Sequence, residues 1–141
     1  MSRDPNLFLA LNRWASREPE NFLTEAFVVL LNRLSVYSPQ AFANVIGRMT
    51  RGAIHIDPES SADVTVQSQA STELGSPDIE ITGPGLHCFI EVKDGSPVDL
   101  DQLNRYSRVL SERVESTKCL VLLTRYPPPP VGEPYLVEPV R

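Results

Sequence analysis

Residues 86 to 125 contain the feature that most restricts the fold, namely two strand-like runs separated by a helical segment. The first run is LHCFIEVK (86–93), and the second is KCLVLLTR (118–125), whose apolar residues suit a strand covered on both faces. Between them, VDLDQLNRYSRVLSERV (98–114) has the spacing of a helix, with an inward face predicted at Leu100, Leu103, Ser107, Leu110 and Val114. A strand, a helix and a strand in this order predict parallel strands joined by a right-handed crossover.

Helical patterns occupy the first third of the chain, at residues 5–15, 19–37 and 38–52. In the longest, Pro19 suits the first turn, and apolar residues recur at helical spacing at Phe22, Ala26, Val29, Leu30 and Leu34. From Ala53 the period changes to two, so that DVTVQ (63–67) and DIEIT (78–82) are predicted as strands. The turn GPG joins the second of these to the strand at 86–93. The predicted class is α/β, with a mixed central sheet of four or five strands flanked by helices.

Composition and punctuation suggest how the chain is divided. Residues 1–126 are expected to form one domain, and residues 127–141 (PPPPVGEPYLVEPVR) an extended proline-rich tail or linker. No apolar run approaches the roughly 18 residues of a membrane span, and the N-terminus lacks a secretion signal. We therefore expect a soluble, cytoplasmic protein with no membrane partner. Two cysteines in apolar runs and two histidines do not suggest a structural zinc site.

The charge balance limits how the chain would hold nucleic acid. The net charge is −5, and the sequence has no run of basic residues of the kind that grips phosphates by charge alone. Lysine is scarce, because Lys93 and Lys118 are the only two and arginine supplies the other positive charges. A lysine inside an apolar strand is therefore conspicuous.

The hairpin register places two acidic residues opposite each other. If the apolar residues of its two strands share one face, Ile79 pairs with Ile90 and Ile81 pairs with Cys88. Continuing that register sets Asp78 opposite Glu91, with Cβ atoms roughly 5 Å apart. Lys93 lies on the same face as Glu91, because side chains alternate along a strand. Two such carboxylates require a counter-charge, which a divalent metal ion supplies better than one ammonium group.

This pattern of residues resembles the PD-(D/E)XK nuclease superfamily. Pro77-Asp78 followed, after a short hairpin, by Glu91-Val92-Lys93 is similar to the motif that names the superfamily. Many members also carry an acidic residue on an upstream helix and a Q-x-x-x-Y motif on the following helix, matched here by Glu25 and by Gln102 with Tyr106. The similarity extends over about residues 20–126 and implies a restriction-endonuclease-like α-β-β-β-α-β core.

The resemblance also implies a role for each of these residues. Asp78 and Glu91, helped by the backbone carbonyl of Val92, would bind Mg²⁺ or Mn²⁺, and Glu25 would hold a second metal ion or an ordered water. Lys93 would orient or activate the attacking water and stabilise charge on the phosphate. Gln102 and Tyr106 would position the phosphate or brace Lys93. The implied activity is metal-dependent hydrolysis of phosphodiester bonds, with DNA favoured over RNA as substrate.

Other interpretations of the same residues stay open. The Glu91–Lys93 pair is also consistent with a solvated ion pair, Gln102 with a capping box begun by Asp99, and Tyr106 with core packing. We expect Glu80 to be solvated or to support the site from outside, and His87 to be structural. The alternative functions are a catalytically silent nucleic-acid-binding or assembly module and an RNA-cleaving enzyme. A further domain or subunit that supplies DNA affinity, and a homo-oligomer, are also open.

Overall fold

The structure is a computed structural model, and it describes residues 19–93 and 97–124. The helix predicted at residues 5–15 and the proline-rich tail at 127–141 lie outside the described residues. Within the described ranges, no helix is both long enough and apolar enough to cross a membrane.

Two helices open the described chain, as the sequence predicts. Helix α1 runs from Pro19 to Tyr37 and helix α2 from Pro39 to Met49. Ser38 begins α2 through its backbone carbonyl, which accepts from the Phe42 amide at 3.0 Å, and not through its side chain. Gly52 terminates the segment with a φ of 81°, which is easily adopted only by glycine, and its amide donates to the carbonyl of Gly47 at 2.8 Å.

Four strands form one mixed sheet in the order β1-β2-β3-β4. They are β1 (Thr65–Ser68), β2 (Ile79–Gly83), β3 (Leu86–Lys93) and β4 (Thr117–Thr124). A 3-10 helix at Pro58–Asp63 precedes β1, so the first strand begins two residues later than predicted. Strands β1, β2 and β3 are antiparallel neighbours, whereas β3 and β4 are parallel and are connected by helix α3 (Leu100–Ser111). The predicted α/β fold with a mixed, helix-flanked sheet is confirmed.

The predicted hairpin register is also confirmed. Ile79 lies opposite Ile90, and Ile81 lies opposite Cys88. These four residues are completely buried, together with Phe42 and Ile46 of α2 and Leu31 of α1. The larger core therefore lies between this face of the sheet and the first two helices. Its apolar contacts fix the register and, with it, the residues that reach the opposite face.

The opposite face of the sheet is covered by α3 through a smaller core. Phe89 of β3 packs there with Tyr106, Val109 and Leu110. The predicted inward face of α3 is confirmed at Leu110, which is buried, but is wrong at Leu100 and Val114. Leu100 is the first residue of the helix and is half exposed, and Val114 lies three residues beyond the end of the helix and is 97% exposed. The helix is instead rotated so that Tyr106 faces the sheet, which places this residue beside the acidic end of β3.

Candidate metal centre and active site

The end of the hairpin brings Asp78 and Glu91 together. Asp78 directly precedes β2, and the pairing of Ile79 with Ile90 continues to Asp78 and Glu91. The amide of Val92 donates to Asp78 Oδ2 at 2.8 Å, and the Asp78 carbonyl accepts from the Gln69 amide at 2.9 Å. The Asp78 carboxylate is therefore held against β3 by a backbone contact, with its other oxygen left for a further partner.

Glu91 is a buried carboxylate whose surroundings disfavour its ionised form. Its side chain is only 4% exposed, and Oε2 has no hydrogen-bond partner among the described residues. Burial, followed by the negative charge of Asp78, raises the pKa of Glu91 to about 7, although Lys93 opposes this effect. Near neutral pH this carboxyl is therefore partly protonated. A buried oxygen without a partner, next to a second carboxylate, favours the binding of a cation.

Lys93 supplies the positive charge at this end of β3. Its Nζ atom lies 3.4 Å from Glu91 Oε1, and its side chain is 15% exposed. The single ion pair does not fully compensate Glu91, because the pKa of that carboxyl remains high. The Glu91–Lys93 pair is therefore not the solvated ion pair that was the alternative interpretation of these residues. Both side chains are largely withdrawn from water, where an ion pair interacts more strongly than at an exposed site.

Helix α3 adds two polar side chains to the site. The Asp99 side chain caps the helix by accepting from the amides of Asp101 and Gln102, at 3.0 and 3.2 Å. The side chain of Gln102 does not complete a capping box, because its Oε1 does not accept from the Asp99 amide. Its Nε2 donates to the Tyr106 hydroxyl at 3.2 Å. The other amide atom of Gln102, Oε1, is buried and has no partner within the described part of the chain.

Tyr106 lies between α3, the sheet and the loop that leads to Asp78. Burial, followed by the negative charge of Glu91, raises the pKa of the Tyr106 phenol to about 12. The phenol is therefore protonated at neutral pH and available as a hydrogen-bond donor. Gly75 approaches the ring so closely that a Cβ atom there would lie 3.2 Å from Tyr106 Cε1. This close approach, which has no signal in the spacing of the motifs, leaves little room for a side chain at position 75.

Glu25 lies on α1 and binds a different partner. Its Oε1 accepts from the hydroxyl of Ser68, at the end of β1, at 2.7 Å. In residues 19–93 and 97–124, no group of three or more His, Cys, Asp or Glu side chains is arranged to hold a metal ion. Glu25 thus forms no three-carboxylate centre with Asp78 and Glu91. Its predicted role in holding a second metal ion or a water stays a prediction.

A second polar cluster, which the sequence does not predict, lies further along the α3 face of the sheet. His87 is 6% exposed; its Nε2 lies 2.8 Å from Glu80 Oε2, and its Nδ1 lies 3.5 Å from Glu115 Oε2. His87 and Glu80 are diagonal neighbours in the hairpin register, so the pattern of the two strands is sufficient to bring them together. The contact with Glu115 depends instead on the path of the chain after α3. The Phe89 ring packs edge-on against both His87 and Tyr106, so the cluster sits behind Phe89 and outside the candidate site.

Comparisons of the chain with protein-family models, curated proteins and solved structures gave no match. The assignment of this site therefore depends on its own chemistry.

The donors at this site suit a hard divalent cation. Carboxylate oxygens of Asp78 and Glu91, with the backbone carbonyl of Val92, are the type of ligand that Mg²⁺ and Mn²⁺ prefer, and Mg²⁺ usually retains several waters. The unpartnered Oε2 of buried Glu91 fits this use, because an ionised carboxylate there requires a positive partner beyond Lys93.

Metal binding is expected to stabilise the wild-type fold. A cation that binds only the folded state contributes about 2.7 kcal/mol at a hundredfold excess over its dissociation constant, which raises the melting temperature by several degrees. Asp78→Asn is expected to melt higher than the wild type in EDTA, because the repulsion of Glu91 is removed while an acceptor for the Val92 amide remains. The same variant should gain little from added Mn²⁺.

Differential scanning fluorimetry in EDTA, Mg²⁺ and Mn²⁺ measures both effects. Glu112→Gln provides the matched control, since it removes one negative charge from an exposed position at the end of α3. The control should follow the wild type in every condition. A wild-type melting temperature that stays constant in millimolar Mn²⁺ would show that the two carboxylates do not form a cation site.

Proposed function

We propose that the chain is a metal-dependent phosphodiesterase of the PD-(D/E)XK type that cleaves DNA. The observation that carries the proposal is the arrangement around Glu91. This carboxylate is buried at the end of β3, beside Asp78 and 3.4 Å from the ammonium of Lys93, and one of its oxygens has no partner among residues 19–93 and 97–124. Two carboxylates and a lysine at one end of a hairpin supply groups that support hydrolysis of a phosphodiester: anionic oxygens for a cation and a positive donor for the phosphate.

Each group of the site has a distinct part in the proposed reaction. When bound by Asp78 and Glu91, the metal ion would lower the pKa of water and offset charge on the phosphate. Lys93, next to Glu91, orients the attacking water by hydrogen bonding and stabilises the negative charge that develops on the phosphate oxygens. Tyr106, which is 2% exposed, and Gln102 form a hydrogen-bonded pair on the helix that covers this end of the sheet, and in the proposed reaction they position the phosphate or brace Lys93.

Cleavage is expected to require a divalent ion. The protein should be incubated with supercoiled plasmid, linear duplex, single-stranded DNA and RNA of matched length, each in Mg²⁺, Mn²⁺ or EDTA. The expected result is cleavage of DNA in Mg²⁺ or Mn²⁺ and none in EDTA, with Asp78→Ala and Glu91→Ala inactive in every buffer. Undiminished cleavage in EDTA would refute the mechanism, and cleavage of RNA alone would change the substrate to RNA.

A catalytically silent binding or assembly module is the second candidate, and the net charge of −5 favours it. A surface with few positive charges neutralises few phosphates, so it binds nucleic acid weakly unless another domain or subunit contributes. The two candidates differ in what the metal does. The silent module binds nucleic acid equally well in Mg²⁺ and EDTA and cleaves nothing, whereas the proposed enzyme turns over only with metal.

A further inference from the structure

Most positive charges in the described part of the chain are already engaged or lie away from the candidate site. Lys93 pairs with Glu91, Arg113 pairs with Glu73, and Lys118 Nζ donates to the backbone carbonyls of Arg113 and Ser111 at 2.9 and 3.4 Å. Arg48 and Arg51 are at the end of α2, which packs on the other face of the sheet. Within residues 19–93 and 97–124, helix α3 therefore carries unengaged positive charge on the face of the sheet that bears the candidate site.

Arg105 is the arginine of α3 that is adjacent to the site. It directly precedes Tyr106 and follows Gln102 by three residues, so it lies on the helix surface beside this hydrogen-bonded pair. Its side chain is exposed to solvent, and none of the hydrogen bonds or ion pairs found within the described residues engages it. Its positive charge lowers the pKa of the Tyr106 phenol, against the larger effects of burial and of Glu91 that raise it. Arg108, by comparison, is in the last turn of the helix, further from the site.

We propose that Arg105 binds a phosphate of the substrate strand next to the phosphate that is cleaved. The inference rests on the proposed function, because it assigns to Arg105 the flanking part of the same substrate. A guanidinium group binds two phosphate oxygens at once through parallel N–H donors, which fixes the strand as well as attracting it. Arg105 is thus a substrate-positioning residue that compensates locally for the acidic character of the chain.

Removing this contact should weaken binding and reduce its dependence on salt. Arg105→Gln keeps a long side chain with good helix propensity but loses the charge. A fluorescein-labelled duplex and single strand are titrated with protein in EDTA at several NaCl concentrations, with fluorescence anisotropy as the signal. Loss of one phosphate contact lowers the slope of log K against log salt by about 0.9 for duplex or 0.7 for a single strand. At low salt the expected loss of affinity is roughly tenfold.

Arg48→Gln is the matched control, because it removes the same charge from an exposed helical position across the sheet. It should keep the wild-type slope and affinity. In Mg²⁺, Arg105→Gln is expected to raise KM roughly tenfold and to change kcat by less than about threefold, because its contact is made equally before and in the transition state. Its melting temperature should match that of the wild type.

The outcomes separate this inference from the proposed function. If the wild type cleaves DNA and Arg105→Gln has the same KM and salt slope as Arg48→Gln, then Arg105 binds no phosphate and only the inference fails. If the wild type neither cleaves nor binds any of the nucleic acids at low salt, the proposed function fails and the inference with it. If the wild type cleaves DNA and Arg105→Gln alone shows the raised KM and the lower salt slope, both are supported. If the wild type binds without cleaving, the proposed function fails and the inference, which rests on it, fails with it.

Discussion

Lys93→Ala is expected to lower the rate of DNA cleavage by a factor on the order of 10² to 10³, the usual effect of removing one charged or hydrogen-bonding group that stabilises a transition state. The ammonium of Lys93 is the positive group nearest to the buried Glu91 carboxylate, at 3.4 Å. Lys93→Arg should also be strongly impaired. A planar guanidinium with its donors in a fixed fork does not replace a compact ammonium on a flexible stem at a crowded site.

Lys118→Ala is the natural control for this experiment, since Lys93 and Lys118 are the only lysines of the chain. Lys118 donates to backbone carbonyls at the end of α3 and takes no part in the site. Initial rates on labelled DNA in saturating Mg²⁺, with circular dichroism to confirm folding, measure the effect. If Lys93→Ala retains full activity while Asp78→Ala is inactive, the lysine has no chemical role and the attacking water is oriented by another group.

Much of the fold could be predicted because the relevant signals are local. The crossover from β3 through α3 to β4 follows from two apolar runs around a helical pattern, and the parallel pairing of Cys88 with Cys119 confirms it. The hairpin register follows from the alternation of apolar residues across a short turn, and its continuation places Asp78 beside Glu91. A one-residue slip would turn the isoleucines of one hairpin strand away from the larger core, so the alternatives are few.

The rotation of the helices about their axes was harder to predict from the sequence. Periodicity shows that a helix has an apolar face, but not which element that face packs against. Helix α1 is apolar on several sides, and Leu30, which the spacing assigns to the inner side, is 49% exposed, while Val28 and Leu31 are buried. In α3 the tertiary context rotates Tyr106 inward and leaves Leu100 at the surface. Helical propensity and spacing are weak guides where several apolar faces compete.

The contacts that refine the site depend on residues far apart in the sequence. The approach of Gly75 to Tyr106 and the bond of Ser68 to Glu25 each join separate elements, and no short motif encodes them. The position of the Val92 amide next to Asp78 follows from the register. Its donation to the Asp78 side chain does not. The sequence therefore indicated which residues meet at the hairpin end and not how they are held.

The stability of the protein is expected to fall as pH rises through neutrality, and Glu91→Gln should remove this dependence. The pKa of Glu91 is about 7 in the folded state, against 4.5 for the ordinary side chain, so the folded protein binds the extra proton. This contribution is fully present below pH 4.5 and is lost as pH rises through 7. The variant, which keeps the shape of the neutral acid, should be more stable than the wild type at pH 8 by roughly 3 kcal/mol.

Urea unfolding in EDTA at pH 5, 6, 7 and 8 measures this difference directly, and EDTA keeps metal ions from offsetting the charge. The gap between Glu91→Gln and the wild type should be small at pH 5 and widest at pH 8, because only the wild type must ionise a carboxyl that is 4% exposed and adjacent to Asp78. Glu112→Gln, at an exposed position, should follow the wild type at each pH. A gap of the same size at every pH would mean that Glu91 ionises freely in the folded protein. Burial and Asp78 would then exert no electrostatic penalty for a cation to relieve.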